Sequence, residues 1–267
     1  MDWSNSNRST RSSFRCLVFS AVMCFGQVSF ASQAPGEVND PSTPPQFAPQ
    51  TSQTSDVQSR NAIARFLDDQ RALWTSPFRT NHNDMKWLFP LGVSTTVLMR
   101  VDPQIIREVR ENNLQGPSRI LSNAGAIPVL IAPVTILALG KLSHRERTEE
   151  TGKLGLEAVL HSSIIVQVLK LATNRERPSK RNGQGGFWDG GRSFPSGHAM
   201  TAWSFATVLA KQYPENNWIK FGSYSFASAV SLSRIGGLNH FPSDVVVGTS
   251  MGYLIGRYIV RHRDPKK

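Results

Sequence analysis

Three short stretches in the last hundred residues carry side chains whose types and spacing suit chemistry. They are Lys170 with Arg177-Pro178, then Pro195-Ser196-Gly197-His198, then Ser233-Arg234 followed by His240 and Asp244. Together they gather three cations, two histidines, a carboxylate and a glycine turn, the parts needed to hold a phosphate and attack it. An arginine offers a planar fork that fits two phosphate oxygens, and a lysine offers a point charge. Glycine at a helix start lets the backbone approach an anion, free N–H groups face it, and the serine hydroxyl adds a donor. His240 and Asp244 lie four apart, a spacing that puts both on one helix face. A carboxylate accepting from one ring nitrogen fixes the tautomer and leaves the other nitrogen free to attack phosphorus. Each stretch alone also has a plain reading: snorkelling basic residues, a helix N-cap with an incidental histidine, or a structural Arg, His and Asp cluster.

The elements that must position these residues read as helices, with no alternating strand pattern of any length. Apolar segments at Trp87–Met99, Ile120–Gly140, Leu154–Leu171, His198–Gln212, Trp218–Ile235 and Val245–Val260 give six candidate helices, an all-α bundle. Ser143 with Glu146 resembles a capping box before the third helix, and Pro178 blocks its continuation. Pro195-Ser196-Gly197 and Pro242-Ser243-Asp244 supply starts for the fourth and sixth. Gly248, Gly252 and Gly256 recur on one face of the sixth, where another helix backbone can come close. The glycine-rich loop from Asn182 to Arg192, with Phe187 and Trp188, borders the entrance to the motif end or lies in solvent.

The rest of the chain bounds the setting. Arg8, Arg11 and Arg15 precede an apolar run, Cys16 to Phe30, and small residues follow, so residues 1–31 read as an export signal cleaved after Ala31. Both cysteines fall inside it, and a mature chain without cysteine excludes disulfides, thiolate nucleophiles and cysteine-ligated zinc. Residues 32–60, rich in Pro, Gln, Ser and Thr, read as a disordered spacer. Residues 61–267 then form one helical domain, with the motifs in a core of about 120–260. The formal charge of +11 becomes +9 once Arg8, Arg11, Arg15 and Asp2 leave with the signal. That balance suits phosphorylated substrates or anionic lipid surfaces, whereas basic residues spread over loops without interleaved aromatics argue against nucleic acid. The apolar runs are short against the roughly 20 residues of a span. A cleaved signal, six spans and an outward-facing site are also mutually inconsistent: a mature N-terminus outside puts the motif loops after the third and fifth spans in the cytoplasm, whereas the basic C-terminal tail favours a cytoplasmic end and motif loops outside. An exported, membrane-associated protein of the periplasm or cell envelope, integral or peripheral, is the expectation.

Taken in order, the motifs resemble the signature of the type 2 phosphatidic acid phosphatase and haloperoxidase superfamily, K-x6-R-P, then P-S-G-H, then S-R-x5-H-x3-D, with no departure at any named position. The resemblance implies an all-α bundle and a phosphatase acting on a phosphomonoester or pyrophosphate, such as a lipid phosphate of the envelope. It implies His240 as a nucleophile forming a phosphohistidine, Asp244 as its orienting partner and His198 as the general acid. Lys170, Arg177, Ser196, Gly197 and Arg234 would hold the phosphoryl oxygens, without metal or cofactor. Two alternatives stay open on the same scaffold: a haloperoxidase holding vanadate, and a catalytically silent envelope protein.

Overall fold

The computed structural model describes residues 51–76, 82–112 and 115–263, and the chain divides into Met1–Asp56 and Val57–Lys267. The expected signal over 1–31 and the spacer as far as residue 50 lie outside the described residues. Among those described there are seven α-helices and no strand: α1 Thr51–Thr75, α2 His82–Glu111, α3 Gln115–Leu142, α4 Glu146–Thr173, α5 Gly197–Gln212, α6 Asn217–Gly236 and α7 Pro242–Arg263. Each of the six apolar segments falls inside one of α2 to α7. The count of six misses α1, which begins within the expected spacer. Its first half is Ser, Thr, Gln and Asp without an apolar stripe, so periodicity gives no sign of it. Its second half is anchored by Phe66, stacked on His161 of α4 at 4.2 Å, and by Asp69, which accepts from Tyr258 and Arg263 of α7.

Helix boundaries depart from two sequence signals. Arg145, not Ser143, precedes α4, and it makes no side-chain cap. Ser143 instead donates through Oγ to the Leu139 carbonyl at 2.6 Å, closing the end of α3. α4 stops before Pro178 comes into play, because Asn174 takes the left-handed conformation at φ 43° and its N–H returns to Lys170 O. α6 starts as capping chemistry dictates, with the Asn216 side chain accepting from Trp218 N and Ile219 N.

Leu154, Ala158, Ile165 and Val166 of α4, Met200 and Val208 of α5, and Ile255, Ile259 and Val260 of α7 form the main core. α5 and α7 meet backbone to backbone at the glycine stripe. A Cβ at Gly248, Gly252 or Gly256 would lie 2.6, 2.2 or 2.4 Å from the carbonyl oxygen of Ser196, Met200 or Ser204. Gly252→Ala is therefore expected to cost about 1–3 kcal/mol through overpacking and to lower the thermal unfolding midpoint by roughly 3–10 °C; an unchanged midpoint would show that the helices separate freely there.

The flanks of this core are apolar too. Trp87, Ile120, Leu142, Trp218 and Phe221 expose between 71% and 85% of their surface. Among the described residues α4 is the one helix long and apolar enough to cross a membrane.

Candidate active site

The C-terminal ends of α4 and α6 and the N-terminal ends of α5 and α7 meet at one end of the bundle, and this brings every motif residue into one neighbourhood. Lys170 ends α4 and Arg177 follows in the loop. His198 opens α5, Arg234 closes α6, and His240 precedes α7, in which Asp244 is the third residue. Arg177, Arg192 and Arg234 all act electrostatically on Lys170. His198 feels Arg234, His240, Lys170 and Arg177.

Ser196 stands immediately before α5, with its N–H donating to Asp244 O at 3.0 Å. Its side chain is fully buried, and Oγ has no hydrogen-bond partner among the described residues. A hydroxyl in that state loses free energy unless something binds it. At Gly197 a Cβ would stand 3.7 Å from Lys170 Nζ, an ordinary contact that places the lysine beside the helix start, and a tighter 3.0 Å from Val166. Free N–H groups, an unpartnered hydroxyl and converging cations make an oxyanion cradle.

His240 is 1% exposed. Its N–H and that of Asn239 both donate to Arg234 O, at 3.2 and 3.0 Å, tying the histidine to the end of α6. The Nδ1 partner differs from the expected carboxylate. Nδ1 lies 2.6 Å from the Ser193 carbonyl, which can only accept, and 3.7 Å from Asp244 Oδ2, too far for a hydrogen bond. Nδ1 thus carries the proton, and Nε2 holds a lone pair. Burial, opposed by Asp244, keeps the imidazole below its ordinary pKa, so it is neutral near pH 7. For His198, burial first and then the surrounding cations lower the pKa to about 4.

Sequence reasoning missed two members of this neighbourhood, Arg175 and Asp102. Arg175 is 2% exposed, and Asp102 and Asp244 are fully buried on either side of it. Its guanidinium donates to Asp244 Oδ1 at 2.6 Å, Ser243 Oγ at 2.7 Å, Asp102 Oδ2 at 2.8 Å and Gly185 O at 3.1 Å. Such charges persist in a dry site only when paired, since an orphaned one costs several kcal/mol. A second basic residue before Arg177 was the available signal for Arg175, whereas nothing local marks Asp102 among the four acids of α2.

The loop between α4 and α5 is tied down. Trp188 N, Gly191 N and Ser193 N donate to Thr173 O, Asn174 O and Arg175 O. A Cβ at Gly191 would reach within 2.1 Å of Arg175 O, and one at Gly185, where φ is 66°, within 2.4 Å of the Phe241 ring. Trp188 stays exposed at the rim, and Arg192 is exposed above the cradle. Two grooves, about 670 Å³ on α6 and 290 Å³ between α3, α5 and α6, contain no motif residue. Convergent charge, not cavity size, marks the site.

The fold and the motif end together define an all-helical bundle with three cations and two histidines gathered at one end. Residues 154–266, somewhat under half of the chain, match the PAP2 superfamily. A lipid A 1-phosphatase of Porphyromonas gingivalis is 27% identical over 180 residues, which are 65% of this chain and 37% of that protein, so the chain spans little more than a third of the relative's length. The crystal structure of the first transmembrane PAP2-type phosphatidylglycerolphosphate phosphatase from Bacillus subtilis superposes with a TM-score of 0.51 at 23% identity, covering 67% of this chain and 96% of that one. That of Aquifex aeolicus LpxE gives 0.48 at 25% identity, covering 60% and 95%.

Proposed function

We propose that the protein is a phosphatase that removes a phosphate from a lipid through a phosphohistidine on His240. The observation that carries this reading is the cradle itself: the Gly197 helix start lies beside Lys170, the preceding Ser196 keeps a buried, unpartnered hydroxyl, and Arg177 and Arg234 act on both Lys170 and His198, with His240 also acting on His198. The Nε2 lone pair forms a bond to phosphorus as the ester P–O bond breaks, and His198 gives its proton to the leaving oxygen. Water then adds to phosphorus, His198 takes back a proton, the P–N bond breaks and orthophosphate leaves. The cations and backbone N–H groups stabilise charge on the phosphoryl oxygens in both transition states. No metal or cofactor takes part in this scheme.

The lipid character is supported by the apolar flanks and by the named activities of the relatives, which act on lipid A and on phosphatidylglycerolphosphate. With the apolar flanks lying in or on the membrane, the motif end lies at the headgroup level, where Trp188 and Arg192 suit an interface. The export signal read over 1–31 puts that end outside the cytoplasm, in the periplasm or cell envelope. Orthophosphate release should be measured from lipid A, phosphatidylglycerolphosphate, phosphatidate, an isoprenoid pyrophosphate and soluble phosphomonoesters, using membrane and soluble fractions separately. Release from at least one lipid phosphate by the membrane fraction is expected. Release from soluble esters alone would overturn the lipid assignment, and none at all would overturn the enzyme.

A further inference from the structure

We propose that Asp102 and Arg175 are a positioning pair for His240, acting through Asp244 and Ser193; this rests on reading His240 as the nucleophile. Since the Ser193 carbonyl, not Asp244, accepts from Nδ1, whatever fixes that carbonyl fixes the tautomer. Ser193 is held at two points: its N–H donates to Arg175 O at 2.9 Å, and its Oγ donates to Asp244 Oδ2. Asp244 is held in turn by Phe241 N at 2.9 Å and by Arg175.

Arg175 is aimed from behind. Asp102 Oδ2 takes its second nitrogen and also accepts from Ser243 Oγ, while Asp102 Oδ1 accepts from Ser243 N at 3.1 Å. The guanidinium lies over the Phe241 and Phe187 rings, at 4.2 and 5.0 Å from their centroids. All three of its nitrogens are engaged by protein groups, so it is no fourth cation for the phosphate. Two carboxylates sharing one fork fix its rotation, and neutralising Asp102 frees it to turn away from Asp244. Asp102 belongs to α2, outside the segment 154–266, so the site is completed by a helix beyond that match. The other charged or titratable groups around His240 are Lys170 of α4, His198 of α5 and Arg234 of α6.

Asp102→Asn in the full-length protein keeps the side-chain shape and removes the charge. With the best lipid phosphate from the panel, kcat is expected to fall about 10- to 100-fold, the scale on which misplaced reacting groups act. KM and the inhibition constant of orthophosphate should stay within about threefold, because the cradle is untouched. Nitrogen-15 spectra of histidine-labelled protein, assigned with His240→Gln, should give one Nδ1–H tautomer for His240 in the parent and a mixture in Asp102→Asn. Should that variant fail to accumulate, Ser193→Ala, which cuts the Asp244 link while sparing the ion pair, is expected to give the same split. An unchanged kcat with an unchanged tautomer overturns the proposal, as does loss of orthophosphate affinity in proportion to kcat. A parent that releases no phosphate defeats the phosphatase reading instead, and the tautomer spectra still decide the positioning role.

Discussion

His240→Ala is expected to lower phosphate release by about 10⁴-fold or more, the scale set by removing the nucleophile from a covalent mechanism. The size follows from what is left behind. Lys170, Arg177, Arg234 and Ser196 would still bind the ester, so KM should change little, but no lone pair would face phosphorus. In the parent, substrate labelled on phosphorus and quenched in base should leave an alkali-stable, acid-labile phosphoprotein; His240→Ala should leave none. Undiminished turnover in the variant would sink the assignment. The sign of the pH dependence follows from the same residue. Burial holds its imidazole below the ordinary value, so the neutral, nucleophilic form persists at more acidic pH than for a free histidine, about 6.5. Activity controlled by this group should therefore fall only as pH drops well below that value, and a loss beginning near pH 7 would argue against it.

How far the chain can be read without its structure depends on the range of the interactions concerned. The six apolar segments sit in α2 to α7 because each must bury a stripe, and that requirement is written in adjacent residues. The Gly248, Gly252 and Gly256 repeat was legible for the same reason, although its partner, α5, was not. α1 escaped because its polar first half carries no period and its anchors, Phe66 and Asp69, matter only against His161 and Arg263, far along the chain. Ser143 and Pro178 failed as boundary signals because Asn174 and the end of α3 satisfied the backbone first. At the site, the motif residues that sequence order singled out do converge at one end of the bundle. The contact between His240 and Asp244 was expected from their spacing alone, yet the loop from Arg175 to Ser193 folds back and presents the Ser193 carbonyl to Nδ1 instead. Asp102 lies 73 residues from Arg175 and was illegible in principle, since nothing local distinguishes it from any other acid.

His198→Ala separates proton donation from nucleophilic attack, and its expected effect depends on the leaving group. An alkoxide leaving from a lipid phosphate is strongly basic and needs a proton in the transition state, so the variant should lose about 10²- to 10⁴-fold in kcat on such a substrate. A nitrophenolate departs without that help, and the same variant should lose no more than about tenfold on nitrophenyl phosphate. Equal losses on both would mean that His198 only shapes the cradle. The charges around His198 add a second signature. With its pKa lowered to about 4 by burial and by Arg234, His240, Lys170 and Arg177, His198 is neutral at pH 7 until an anion arrives. A phosphoryl dianion among those cations offsets their repulsion and raises the pKa of the imidazole, so the acid form is made in the complex. Because kcat/KM reports the free enzyme and kcat the complex, the descending limb assigned to His198 should lie at higher pH in kcat than in kcat/KM. That limb should vanish in His198→Ala; one that survives the substitution belongs to another group and removes His198 from the role of proton donor.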